Sequence, residues 1–253
     1  GAQRADKRTY IAGNTTESES DFYRSMINDP SQEQLYLHLL SRFREIRSER
    51  NLSDDEYLEL IAVYTQSLPF EISEAPAKFP VETVMEGTGD CDDKSLLLAG
   101  LLSREGYPVV LFLFGPEQHM ALGVGSDAFL YKSTGYAYIE ATDYSFIGVP
   151  SYTMKGNGTL KSDPLVIPIA GGTKLYHSGS ATSYIDNMSA LSGREAAELS
   201  LRLRGKPSPS ENRSEYLTAF SRLDHYSDVH NYVLGHKFDR PGVYEYLKRE
   251  MGD

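Results

Sequence analysis

Apolar and polar positions follow two rhythms along this chain, and the change between them marks its organisation. Between Ser31 and Arg50 the residues Leu35, Leu39, Phe43 and Ile46 recur at intervals of three and four, with Tyr36 and Leu40 alongside, which predicts an amphipathic helix. Arg42, Arg44, Arg47 and Arg50 interleave with Glu45 and Glu49 on its outer face, the pattern of a solvated, ion-paired surface. A second helix starts at Ser53 with a capping box to Glu56 and runs through Leu58, Leu60, Ile61, Val63 and Tyr64 towards Pro69. The prolines Pro69, Pro76 and Pro80 then mark 70–80 as an irregular loop. A third helix is predicted from about Cys91: Asp90 is an N-cap, Asp93 is placed to reach back, Leu96, Leu97, Leu98, Leu101 and Leu102 bury it, and Gly106 stops it.

Beyond Gly106 the rhythm becomes that of strands. Val109 to Phe114 is a continuous apolar run, Gly115-Pro116 turns the chain, and His119 to Gly125 and Tyr136 to Ala141 follow. Period-two alternation puts Tyr136, Tyr138, Glu140 and Thr142 on one face, so Asp143 points elsewhere. Further on, Leu165 to Ile169 predicts a strand ended by Gly171-Gly172, and Ser192 to Arg204 and Glu211 to Leu223 predict helices separated by a Gly/Pro/Ser stretch. The expectation is an α+β protein: a polar N-terminal segment over 1–29, a core over 30–150 with the Cys91 helix packed on an antiparallel sheet, and a C-terminal extension over 151–253.

Composition narrows the function. The chain has 253 residues, of which 40% are apolar, and a net charge of −11, which argues against nucleic-acid backbones and anionic membranes as partners. Its longest apolar run is only strand-sized, so it is not a membrane-spanning fragment, and it opens on no charged-apolar-small signal peptide, although a removed N-terminal anchor fits the polar start. Five of the seven asparagines, namely Asn14, Asn51, Asn157, Asn187 and Asn212, begin N-x-Ser/Thr sequons, which points to an extracytoplasmic location and N-glycosylation. One cysteine leaves no internal disulfide to argue from.

That cysteine carries the candidate chemistry. In the first turn of a buried helix its thiolate lies near the positive end of the macrodipole, whereas a lone cysteine without such a setting is an apolar filler. A helix of about 14 residues runs roughly 21 Å away from Cys91, and a six-residue strand brings the chain about 20 Å back. His119 therefore starts its strand near Cys91. If Tyr136 to Ala141 pairs antiparallel with that strand, Ala121 lies opposite Glu140, and an acid stands beside the histidine. Cys91, His119 and Glu140 are thus a candidate nucleophile, base and orienting acid, with Asp143 the alternative acid. Asp90, Asp92 and Asp93 oppose ionisation of the thiol; they read as helix-capping acids, and as hard-cation ligands in kind. Gln66 is both a candidate oxyanion donor and an ordinary surface amide. His225, His230 and His236 fit no zinc spacing and read as exposed polar residues.

The stretch GDCDDKSLLLAGLL, preceded by FPVETVMEG and followed by EQHMALGV and YAYIEATD, resembles the transglutaminase-like cysteine-peptidase superfamily in its bacterial and archaeal branch. The resemblance spans about Leu58 to Pro150. It implies a papain-like fold in which Cys91 caps the central helix, His119 opens the next strand and Glu140 closes the triad. It departs from the family at Gln118, where a Gly or Glu is commoner, and at IEAT, where many relatives carry Asp-Pro-Thr. Some relatives bind calcium through acids matching Asp90, Asp92 and Asp93. The implied activity is thiol-dependent hydrolysis or acyl transfer at amide bonds of a peptide or protein substrate, with no cofactor; the alternative is a non-catalytic module that binds peptides or surface polymers.

Overall fold

The computed structural model describes residues 16–72, 76–150, 159–204 and 213–252. The sequons at Asn14, Asn157 and Asn212, most of the loop after Pro150 and the stretch 205–212 lie outside these; Asn51 and Asn187 lie within, both exposed. Two compact units result, one ending at Gly179 and one starting at Ser180.

The first unit is α+β. Helices α1 (Thr16–Ile27), α2 (Glu33–Arg50), α3 (Asp54–Ser67), α4 (Pro80–Glu86) and α5 (Cys91–Arg104) precede strands β1 (Val109–Phe114), β2 (His119–Gly125), β3 (Tyr136–Ile139) and β4 (Leu165–Ala170). The strands form one antiparallel sheet in the order β3-β2-β1-β4. β4 belongs to the stretch assigned from sequence to the C-terminal extension, yet it pairs with β1 as an integral strand of this unit. No described helix is long and apolar enough to cross a membrane.

Local chemistry sets the helix ends. α2 stops at Asn51, left-handed at φ 52°, whose N–H reaches the Arg47 and Ser48 carbonyls. α3 starts on the Ser53–Glu56 capping box, with the Glu56 carboxylate accepting the Ser53 N–H at 2.9 Å. α4 was not expected in a proline-marked stretch. Pro80 sits at its first position, where a missing N–H is harmless, Glu82 accepts the Phe79 N–H at 2.9 Å, and Gly87 closes it at φ 70°. α1 lies within the segment that reads as polar; it buries Met26 and Ile27, packs on α5 and β4, and donates from Arg24 Nε to the Pro168 carbonyl at 2.7 Å.

α5 is the axis of the unit. Every residue from Asp93 to Leu102 is buried, and the helix packs against α1 to α4 and against β1, β2 and β4. Gly100 marks its closest approach, because a Cβ there would overlap the Tyr36 ring on α2. Gly100→Ala is therefore expected to destabilise the protein by about 1–3 kcal/mol, the usual magnitude for overpacking a core; urea denaturation at unchanged m-value measures it.

The strands alternate. Val109, Leu111, Met120, Leu122, Val124, Ala137 and Ile139 join the core around α5, whereas Val110, Phe112, Phe114, Ala121 and Tyr138 form a second cluster with Tyr131. Leu122 pairs with Ile139, a register that sets Glu140 across from Ala121. His119, Tyr138 and Glu140 accordingly share the sheet face of Phe112 and Phe114.

The second unit comprises nearly all of α6 (Gly179–Arg204), with α7 (Arg213–Gly235) and α8 (Arg240–Met251). The helix expected to end at Leu223 continues to Gly235 and buries Val229 and Val233. His230 Nδ1 lies 3.1 Å from the Ser189 carbonyl and His236 Nδ1 2.8 Å from the Tyr232 carbonyl. Both rings thus bond main chain, and no metal-spaced group among the described residues includes them.

Candidate active site

Three elements meet where α5 begins. Asp90 caps the helix, its side chain accepting the Asp93 N–H at 3.3 Å while Asp93 accepts the Asp90 N–H at 3.3 Å. Cys91 is the first helical residue and half-buried. The backbone N–H of Met120, at the end of β2 beyond the last β3 pair and one residue from His119, favours the Cys91 thiolate. In front of His119, Gln118 adopts a left-handed φ of 50° to close the 115–118 turn, a strained conformation of the sort found beside functional groups.

The imidazole meets the acid directly. His119 Nε2 lies 3.2 Å from Glu140 Oε2 and 3.3 Å from the Tyr138 hydroxyl, which itself donates to Glu140 Oε2 at 2.8 Å. Glu140 Oε1 accepts the Thr142 N–H at 3.0 Å and the Thr142 hydroxyl at 2.6 Å. Asp143 is exposed and accepts its neighbour's N–H, from Tyr144 at 2.9 Å. An ionised carboxylate can only accept, so Nε2 carries the proton and Nδ1 keeps the lone pair of a base. Burial alone would raise the Glu140 pKa, but the hydrogen bonds from His119 and Thr142 hold it below the ordinary glutamate value.

The thiol is less prepared. Burial, with Asp92, Asp90 and Glu140 adding to it, pushes the Cys91 pKa up to about 12 against the pull of the Met120 N–H. Burial outweighs the neighbouring acids that the sequence points to. No hydrogen bond joins Sγ to the imidazole among the described residues; catalytic contacts of this type often close only around substrate. Protonated His119 or a bound substrate would have to bring the thiolate within reach of neutral pH.

The three aspartates differ in state. Asp93 is buried; its Oδ1 accepts the Lys78 N–H at 2.6 Å and its Oδ2 lies 3.7 Å from the Lys78 ammonium. Asp92 is pushed up to about 8 by burial and by Asp90. The carboxylates of Asp90, Asp92 and Asp93 are close enough to share a hard cation, but two of them serve as caps of α5. An acid held protonated in the fold and ionised in the unfolded chain makes stability fall as pH rises from about 4 to about 8. Asp92→Asn fixes the neutral form, so its melting temperature is expected to exceed the parent's at pH 8 and to converge with it near pH 4, as calorimetry across that range would show. Above about pH 8, where Asp92 ionises, the same change also removes a charge that opposes the Cys91 thiolate.

Gln66 is buried, not a surface residue, and its Nε2 donates to the carbonyls of Glu140 at 2.9 Å and Ser145 at 3.0 Å. With that amide engaged, it does not serve as oxyanion donor in this structure. Two contributors went unread in the sequence. Lys94, fully buried, donates from Nζ to the carbonyls of Leu68 at 2.7 Å, Thr142 at 3.2 Å and Gln66 at 3.3 Å. Tyr23, on α1, lies within electrostatic range of Cys91 and Asp92, and burial pushes its phenol up to about 12, so it stays a proton donor. The DDK triplet invited attention to its acids alone, and α1 was hidden by its polar composition.

Searches against protein-family models, curated proteins and solved structures return no match to this chain.

Proposed function

We propose that the protein is a thiol enzyme of transglutaminase-like, papain-like type, acting on amide bonds of peptides or proteins. The observation that carries this reading is the buried His119–Glu140–Tyr138 network, one residue from Met120, whose N–H favours the Cys91 thiolate. Cys91 Sγ attacks the amide carbonyl and His119 Nδ1 takes the thiol proton. The oxyanion forms beside the Cys91 N–H at the head of α5, the imidazolium returns its proton to the leaving amine, and water releases the acyl-enzyme. Glu140 keeps the imidazole in its Nε2–H form and stabilises the imidazolium. Hydrolysis is the assigned outcome, water being the default acceptor; an amine in its place gives acyl transfer.

The raised thiol pKa and the missing Sγ–imidazole hydrogen bond favour a second reading, a non-catalytic binding module for peptides or surface polymers. Alkylation of Cys91 by iodoacetamide, followed by intact mass from pH 5 to pH 10, separates the two. A reactive plateau below pH 7 supports the thiol–imidazole pair, and a single rise above the ordinary thiol pKa of about 8.5 supports the binding module.

A further inference from the structure

The acid of the site does not sit on regular structure. β3 ends at Ile139, and Glu140 to Ser145 runs on without helix or strand. The carbonyls of such a segment find partners outside a ladder or leave buried acceptors unmet. Here two side chains from two helices supply them. Gln66, near the end of α3, donates to the Glu140 and Ser145 carbonyls. Lys94, one turn after Cys91 on α5, donates to the Thr142 carbonyl and, with its remaining donors, to the Gln66 and Leu68 carbonyls at the C-terminal end of α3. Gln66 is 4% exposed and Lys94 0%, so these bonds lie away from competing water. An ammonium buried three residues after the nucleophile is costly to desolvate, and a leucine there would pack without that cost. What the lysine adds is geometry: it links the helix that carries the thiol to the turn that carries the acid. The Glu140 side chain bonds Thr142, whose carbonyl Lys94 holds, while Gln66 holds the Glu140 carbonyl itself.

We propose that Lys94 and Gln66 are positioning residues that clamp the Glu140–Ser145 turn onto α3 and α5, so that the Glu140 carboxylate stays within hydrogen-bond reach of His119 Nε2. The mechanistic consequence rests on the thiol-enzyme reading, but the geometric part does not. The test therefore reads the imidazole as well as turnover. In the full chain, Lys94→Met removes the donors at nearly constant volume. Nitrogen-15 spectra of the histidines are expected to show His119 as the Nε2–H form in the parent and as a mixture of tautomers in the variant. kcat is expected to fall about 10- to 100-fold with KM changed less than about twofold, the pattern of a misplaced catalytic group. Should Lys94→Met not fold, Gln66→Met takes its place; it keeps the ammonium and also removes the amide oxygen of Gln66, a buried atom with no hydrogen-bond partner among the described residues. A folded variant with an unaltered His119 spectrum overturns the clamp. A parent without amidase activity whose His119 spectrum still depends on Lys94 overturns the enzyme reading and upholds the clamp.

Discussion

Cys91→Ala is expected to abolish amide cleavage down to buffer background and to end labelling by iodoacetamide, while the melting temperature stays within about 4 °C of the parent. The chemical part follows from the inventory of nucleophiles. Cys91 is the only cysteine of the chain, and the Ser95 hydroxyl on the same helix is buried and donates to the Met120 carbonyl at 3.4 Å. Thiol catalysis of this kind contributes several orders of magnitude, and alanine leaves only the electrostatics of the pocket. The structural part follows from burial. The thiol is half-buried and packs as a small apolar group, so its loss is worth about 1 kcal/mol, which shifts the melting point of a chain this long by about 2–4 °C. Intact mass after alkylation, calorimetry and a peptide digest read the three effects on one sample. Residual cleavage in a folded Cys91→Ala protein would remove the thiol from the mechanism, whatever its surroundings.

How much of this was legible before any coordinates depends on the kind of signal. The start of α5 was legible because a capping box is a local sequence statement: Asp90, Cys91 and Asp93 specify it within four residues. The pairing of Glu140 with His119 was legible because a two-residue alternation and a hairpin leave few registers that bury one face. Lys94 and Gln66 were not legible, since a side chain that bonds the carbonyls of a distant turn leaves no periodicity. α1 was missed because Met26 and Ile27 are the buried apolar residues of a polar stretch among the described residues, and a helix held by its neighbours needs no strong pattern of its own. α4 was not read because Pro80 closes the proline-marked stretch 70–80, although it stands at the first helical position, where proline is favoured. The candidate site residues announced themselves; their buried hydrogen-bonding neighbours did not.

Glu140→Gln should be the most damaging conservative change in the molecule, lowering kcat by about 10³- to 10⁴-fold and stability by about 3–5 kcal/mol. The carboxylate sits among four donors: His119 Nε2 and the Tyr138 hydroxyl on one oxygen, the Thr142 N–H and hydroxyl on the other. A glutamine of the same shape offers one acceptor oxygen and turns an NH₂ towards the remaining two donors, so a buried mismatch arises whichever way the amide is placed. If the oxygen faces Thr142, the imidazole meets an N–H, is driven to its Nδ1–H form, and loses the lone pair that accepts the Cys91 proton. The pH dependence carries the same sign. The Glu140 pKa is lowered in the fold, so the unfolded chain takes up a proton from this group before the native one does. Its contribution is therefore fully present above the ordinary glutamate value of about 4.3 and is lost as pH falls through the depressed native value. The parent is expected to lose stability over that acid window, and Glu140→Gln, having no proton to gain there, is expected to lose less, so the gap between the two proteins narrows as pH drops. Urea titrations of both at pH 7 and pH 3 measure the gap; one of equal width at both values would mean that the carboxylate is not held ionised by His119 and Thr142.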